Sequence, residues 1–154
     1  MNETDVQENS EVVEFLSFRV GGEDYAIDIG STREIRSWTT PSTLPDAPTF
    51  FLGVINLRGV MLPLLDLAAR LGLPTPEVNE RSVIIVAEIE DTPVGLLVEG
   101  VSDIIAPSKD EMQPPPDMAN SGGDSYVQAL TLVEDKTVRI LDLASVMPAP
   151  EQVA

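Results

Sequence analysis

GVINLRGVMLPLLDLAARL, residues 53–71, changes its hydrophobic period midway, and that change decides the fold. Apolar residues first recur at short spacing (Val54, Ile55, Leu57), break at Arg58-Gly59, and resume as Val60, Met61, Leu62, Pro63, Leu64 and Leu65. Leu64, Leu67, Ala68 and Leu71 then fall at helical spacing until Gly72 ends the run. The pattern predicts two strands joined at Arg58-Gly59, followed by about one and a half helical turns. Gly59 suits the positive φ of a tight hairpin. Asp66 stands where strand becomes helix, the place an N-cap acceptor is wanted.

Upstream, Leu16, Phe18 and Val20 alternate with Ser17 and Arg19, which predicts a half-buried strand over 14–20. Gly21-Gly22-Glu23-Asp24 turns it, 25–29 returns as its hairpin partner, and 35–38 extends the sheet. Pro41, Pro45 and Pro48 mark a connection, in which Asp46-Ala47-Pro48 predicts a capped helical turn before Gly53. Downstream, 82–89 (SVIIVAEI) reads as a strand covered on both faces, and strands follow over 94–98 and 101–105. Polar residues 74–81 and the Pro/Gly/Ser stretch 113–124 are loops. A last hairpin joins 127–133 to 137–141 around Glu134-Asp135-Lys136, and 143–147 is a final helical turn. Residues 1–13 read as a disordered leader, too polar to offset the entropy of ordering, and 148–154 as a flexible tail.

These elements repeat. Tyr25-Ala26-Ile27-Asp28-Ile29-Gly30-Ser31-Thr32-Arg33-Glu34-Ile35 lies without a gap on Val94-Gly95-Leu96-Leu97-Val98-Glu99-Gly100-Val101-Ser102-Asp103-Ile104. Leu64-Leu65-Asp66-Leu67-Ala68 likewise matches Ile140-Leu141-Asp142-Leu143-Ala144. Two similar β units are implied, each of about five strands. Short strands with tight turns curl readily into small barrels, which removes exposed edges. The expectation is one all-β domain over 14–147 built as two lobes, the second about 72–140 and the first completed by other segments.

Composition removes whole classes of function. Nine basic residues face 26 acidic ones, a formal net charge of −17, which repels phosphate backbones and anionic membranes. Nucleic acid and direct membrane insertion are therefore not expected. Without cysteine or histidine there is no thiol nucleophile, no imidazole base and no ordinary zinc site, and no cofactor or metal is expected. The N-terminus lacks the basic and apolar regions of a secretory signal.

Asp66 and Asp142, in matching places, raise the possibility of a carboxylate dyad. Leu-Ala follows each of them where a dyad loop needs small polar residues and glycine, so helix capping is the better account and no enzyme is expected. Arg58 stands out as a lone cation at a hairpin tip. It is a solvated turn residue or partner for Glu34 on one reading, and on another a binding anchor, for which its planar donor fork suits it.

Gly53-Val54-Ile55-Asn56-Leu57-Arg58-Gly59, then Pro63, Asp66-Leu67 and Arg70-Leu71-Gly72, strongly resemble the signature of the CheW family of bacterial chemotaxis coupling proteins. Thr32-Arg33-Glu34-Ile35-Arg36, residues 94–103 and residues 138–143 resemble further family segments in the right order. Ala129, where relatives often carry glycine, and Arg139, in a usually more apolar strand, depart from the pattern. The resemblance implies two SH3-like five-stranded β-barrels sharing a hydrophobic core. It also implies a non-enzymatic, cytoplasmic adaptor at the receptor array, joining the hairpin tips of chemoreceptors to the regulatory domain of the histidine kinase CheA. An adaptor of a related system, serving pilus motility or second-messenger signalling, is the alternative. Glu34 and Arg58 match family positions tied to coupling, and Ile35, Val54, Leu57 and Val101 are candidates for the apolar contacts.

Overall fold

The alternating stretches become strands and the two helical-period stretches become helical turns in the computed structural model, which describes residues 13–74, 78–79, 81–114 and 126–147. The strands are β1 (Phe15–Val20), β2 (Glu23–Asp28), β3 (Thr32–Ser37), β4 (Phe51–Leu57), β5 (Val60–Asp66), β6 (Val83–Ile89), β7 (Thr92–Val98), β8 (Gly100–Ile105), β9 (Val127–Val133) and β10 (Lys136–Leu141). The helical turns are α1 (Leu67–Arg70) and α2 (Leu143–Val146). The expected tail (148–154), all of the expected leader but Val13, and most of the 113–124 loop lie outside the described residues. No helix among the described residues is long and apolar enough to cross a membrane.

Four hairpins use the same two-residue connection with positive φ at both positions: Gly21-Gly22, Arg58-Gly59, Glu90-Asp91 and Glu134-Asp135. This geometry matches the twist of the flanking strands, which holds the register even where a charged residue must enter the left-handed region. Asp66 caps α1 by accepting from the Ala69 N–H at 3.4 Å. Asp142 caps α2 by accepting from Ala144 N–H at 3.2 Å and the Ser145 hydroxyl at 2.9 Å. The helical turn expected after Asp46 is instead a single reverse turn, closed by Phe51 N–H donating to the Pro48 oxygen at 2.9 Å. Pro48 and the left-handed Asp46 leave too short a run to propagate a helix.

The strands form two five-stranded sheets, ordered β8-β1-β2-β10-β9 and β3-β6-β7-β5-β4. Under the repeat the two orders are identical. The match extends to single residues in the parallel pairs, where Ile140 lies opposite Ala26 and Leu64 opposite Gly95. The third strand of each half is exchanged: β3 follows β2 in sequence yet pairs with β6, and β8 follows β7 yet pairs with β1. Strands within 72–140 are consequently shared between both sheets.

One expectation needs correcting. Neither sheet closes into a barrel by main-chain hydrogen bonds, because its two end strands do not pair. The edge of β4 is taken by Ser42, which exchanges hydrogen bonds of 2.9 and 2.8 Å with Val54. Gln113 does the same to Leu130 on β9, at 2.8 and 2.7 Å.

Each sheet buries one face in a small cluster of its own and the other in a core common to both. Ala26, Ala129, Val138 and Ile140 form the first sheet's cluster with Phe15. Ile55, Leu62, Leu64, Ile84 and Val86 form the second's, with Trp38 against it. The common core joins Leu16, Phe18, Val20 and Ile27 of the first sheet to Leu65, Ile85, Ala87 and Leu96 of the second, with Leu67, Leu71, Leu143 and Val146 of the helical turns. β6 shows the division along one strand, since Ile84 and Val86 point to the private cluster while Ile85 and Ala87 point to the common one. That is the two-sided burial expected for this stretch.

Because one core serves both sheets, Phe18→Ala is expected to cost about 3–5 kcal/mol. Urea unfolding followed by Trp38 fluorescence and by far-UV circular dichroism should give one coincident transition; two separated transitions would contradict a common core. Gly53, at φ +143, leaves no room for a side chain, since a Cβ would lie 2.1 Å from the Ser42 oxygen. Gly53→Ala is expected to destabilise the chain by roughly 2–4 kcal/mol, measured in the same titration.

Candidate functional site

The β4–β5 hairpin builds the site. Its left-handed turn is fastened by Asn56 Oδ1, which accepts from Gly59 N–H at 2.8 Å, and Arg58 leaves the tip with its side chain 69% exposed. Its Nη2 donates to Glu34 Oε2 on β3. Arg36 Nη1 lies 3.5 Å from the other carboxylate oxygen. β3 and β4 are opposite edges of one sheet, so this ion pair spans the gap that the main chain leaves open. A curled sheet is latched here by side chains.

The latch acts on Glu34. The hydrogen bond from Arg58 holds its carboxyl below the ordinary glutamate value, against an opposing effect of partial burial and with further help from Arg36. Unfolded, the same carboxyl titrates in the usual range near 4.3.

The six candidate residues do not converge on one point. Glu34 and Arg58 touch, while Ile35, the next residue on β3, points to the other face of the strand and is 46% exposed. Val54 is half-buried and tied through its main chain to Ser42. Leu57 is half-buried against the second sheet's cluster. Val101 belongs to the other sheet, on β8, and lines a groove of about 880 Å³ with Arg19, Arg81, Val83, Gly100 and Ser102. That groove lies where β1 and β8 of one sheet meet the start of β6 of the other.

Several exposed apolar residues escaped the sequence reading. Ile104, 52% exposed on β8, is the counterpart of Ile35, and the repeat had already aligned the two. Val60 and Met61 follow the Arg58-Gly59 turn and are both exposed; an unbroken apolar run hides which of its members face outward. Leu132, 68% exposed on β9, is counterpart to the polar Asn56, so only the register reveals it. Tyr126 packs at the margin of the common core.

The first sheet lacks the latch. Asp103 stands where the second has Glu34, and Glu134 where it has Arg58, by the registers Leu57 to Val60 and Val133 to Lys136. Among the described residues no ion pair crosses that seam. The second sheet's rim thus carries a guanidinium fork paired with a carboxylate, with exposed apolar residues on the same strands.

The family model described as the CheW-like domain matches residues 14–151. A chemotaxis protein CheW of Rhizobium meliloti (strain 1021) is 43% identical over 141 residues, covering 92% of this chain and 91% of that one. A chemotaxis protein CheW of Bacillus subtilis (strain 168) is 31% identical over 132 residues, 86% of this chain and 85% of its own. Among solved structures, the scaffolding protein TtCheW of Thermoanaerobacter tengcongensis superposes with a TM-score of 0.83 at 27% identity, over 92% of each chain.

The latch sets a pH dependence with a definite sign. Glu34 has its pKa lowered by folding, so its stabilisation is complete above the unfolded value and fades as pH falls through the depressed folded one. Comparing the chain with Glu34→Gln by denaturation should show a stability gap at neutral pH that closes in acid. In carbon-detected NMR titration, Arg58→Gln should move the Glu34 midpoint upward; an unchanged midpoint would mean that the ion pair does not form in solution.

Proposed function

The chain belongs to the CheW-like domain family, and from that premise we propose that it couples transmembrane chemoreceptors to the histidine kinase CheA, as a non-catalytic adaptor. It would hold a receptor's cytoplasmic hairpin tip and the kinase's regulatory domain in one assembly on the cytoplasmic side of the receptor array. The observation that carries this reading is the Glu34–Arg58 latch, with exposed apolar residues next to it in the chain: Ile35 after Glu34, and Val60 and Met61 after the Arg58-Gly59 turn. An arginine already paired with a carboxylate has less side-chain freedom left to lose on binding, and the exposed apolar residues offer area for a partner to bury. Two docking surfaces are available, the rim of the latched sheet and the groove at the junction of the sheets. An adaptor needs at least two.

Catalysis has no part in this reading. Asp66 and Asp142 are engaged with the N–H groups of their own helical turns. The net charge of −17 disfavours anionic lipid, so attachment to the membrane runs through the receptors.

Co-sedimentation with receptor-bearing membranes, with and without the kinase, tests the proposal. Arg58→Ala and Glu34→Lys are expected to weaken complex formation by roughly 1–3 kcal/mol, or about 5- to 150-fold, with unchanged far-UV circular dichroism. Absence of binding by the unmodified chain at micromolar concentration would overturn the reading. Loss of fold in both variants would reassign the pair to structure alone.

A further inference from the structure

We infer that Arg70 is the clamp that fixes the angle between the two sheets, and through it the shape of the groove at their junction. Arg70 ends α1, and its guanidinium lies between two rings, 4.7 Å from the centroid of Phe50 and 5.0 Å from that of Tyr126. Its Nε donates to the Val146 carbonyl oxygen at 2.5 Å. The repeat relates all of these partners. The Phe50 carbonyl accepts Asp66 N–H at 2.7 Å and the Tyr126 carbonyl accepts Asp142 N–H at 2.8 Å, so the two rings occupy matching places. Counted on from the matched aspartates, Arg70 corresponds to Val146 itself.

A residue that touches its own counterpart stands on the axis relating the two halves. Only one copy can carry a cation there, because two guanidinium groups at that separation repel. The other copy is valine, and its carbonyl at the end of α2 has no partner within the helix to accept from, so it accepts the Arg70 Nε–H instead. The guanidinium attracts both ring faces at once, and both rings pack at the margin of the common core. Apolar burial drives the sheets together without prescribing their orientation. The three directional contacts of Arg70 prescribe it. Resting on the coupling reading above, Arg70 is then a positioning residue for whichever partner lies across both sheets, and not for one that sits on a single rim.

The absence of cysteine makes the test clean. Spin labels on Thr92→Cys in the second sheet and Lys136→Cys in the first report the distance between sheets by pulsed dipolar spectroscopy of the full chain. Arg70→Leu is expected to broaden that distance distribution at least twofold while far-UV circular dichroism stays unchanged, with Arg70→Lys falling between. If Arg70→Leu does not fold, Phe50→Leu removes one face of the sandwich and should broaden it too. A distribution as narrow in these variants as in the parent overturns the clamp. Binding adds a second arm, in which one of the two partners, receptor-bearing membranes or isolated kinase, should lose affinity severalfold for Arg70→Leu while the other does not; equal loss for both, or for neither, would count against a positioning role. Should the parent itself fail to bind receptors, the coupling reading falls and the label distances still decide the clamp.

Discussion

Exchange of the third strand between the two halves is the constraint on which the rest of the structure depends. Had β3 stayed with β2, each half would be a self-contained sheet, and the chain would be two beads. Because β3 pairs with β6 and β8 with β1, each sheet is finished only by a strand from the other half. The connections β2–β3 and β7–β8 must then pass between the sheets, which holds those sheets face to face over one apolar core. Burial of Phe18, Ile85, Leu96 and Leu141 in that core provides a driving force that neither half could assemble alone, since small sheets bury too little surface by themselves.

The same exchange shapes the surfaces. It places β3 and β4 at opposite edges of one sheet, so that Glu34 and Arg58, 24 residues apart in sequence, meet across an open seam. It also brings β8 to the junction, where Val101 lines the groove. Ser42 and Gln113, by occupying the outer edges of β4 and β9, leave the seams to side chains. One seam is latched by opposite charges and the other is faced by two acids, a difference between halves that share a backbone. Near-symmetry in the fold thus coexists with asymmetry in the chemistry.

At the axis between the halves the requirement is reversed. Arg70 and Val146 occupy matching positions in contact with each other, and identity there would place like charges together. The polar contacts that orient the sheets depend on that single difference between the two copies.

What the sequence determined by itself was local, with the turn after Asp46 as the exception, since capping residues there precede a run too short for a helix. Alternation located the strands, the change of period at Asp66 and Asp142 located both helical turns, and Gly-Gly, Arg-Gly or paired acidic residues located the hairpins, because each depends on residues within a few positions. The repeat was also legible, and with it the equivalence of Ile35 and Ile104 that was available but unused. Membership of the CheW-like family was readable from the motif around Arg58, and Glu34 was visible as its possible partner. Only the tertiary structure decided which strands pair, that the barrels stay open, which apolar residues of the 60–65 run face outward, and that Arg70 lies between Phe50 and Tyr126. Those outcomes rest on contacts between residues distant in the chain, where the same alternating pattern satisfies several pairings and the choice falls to edge occupancy and shared burial.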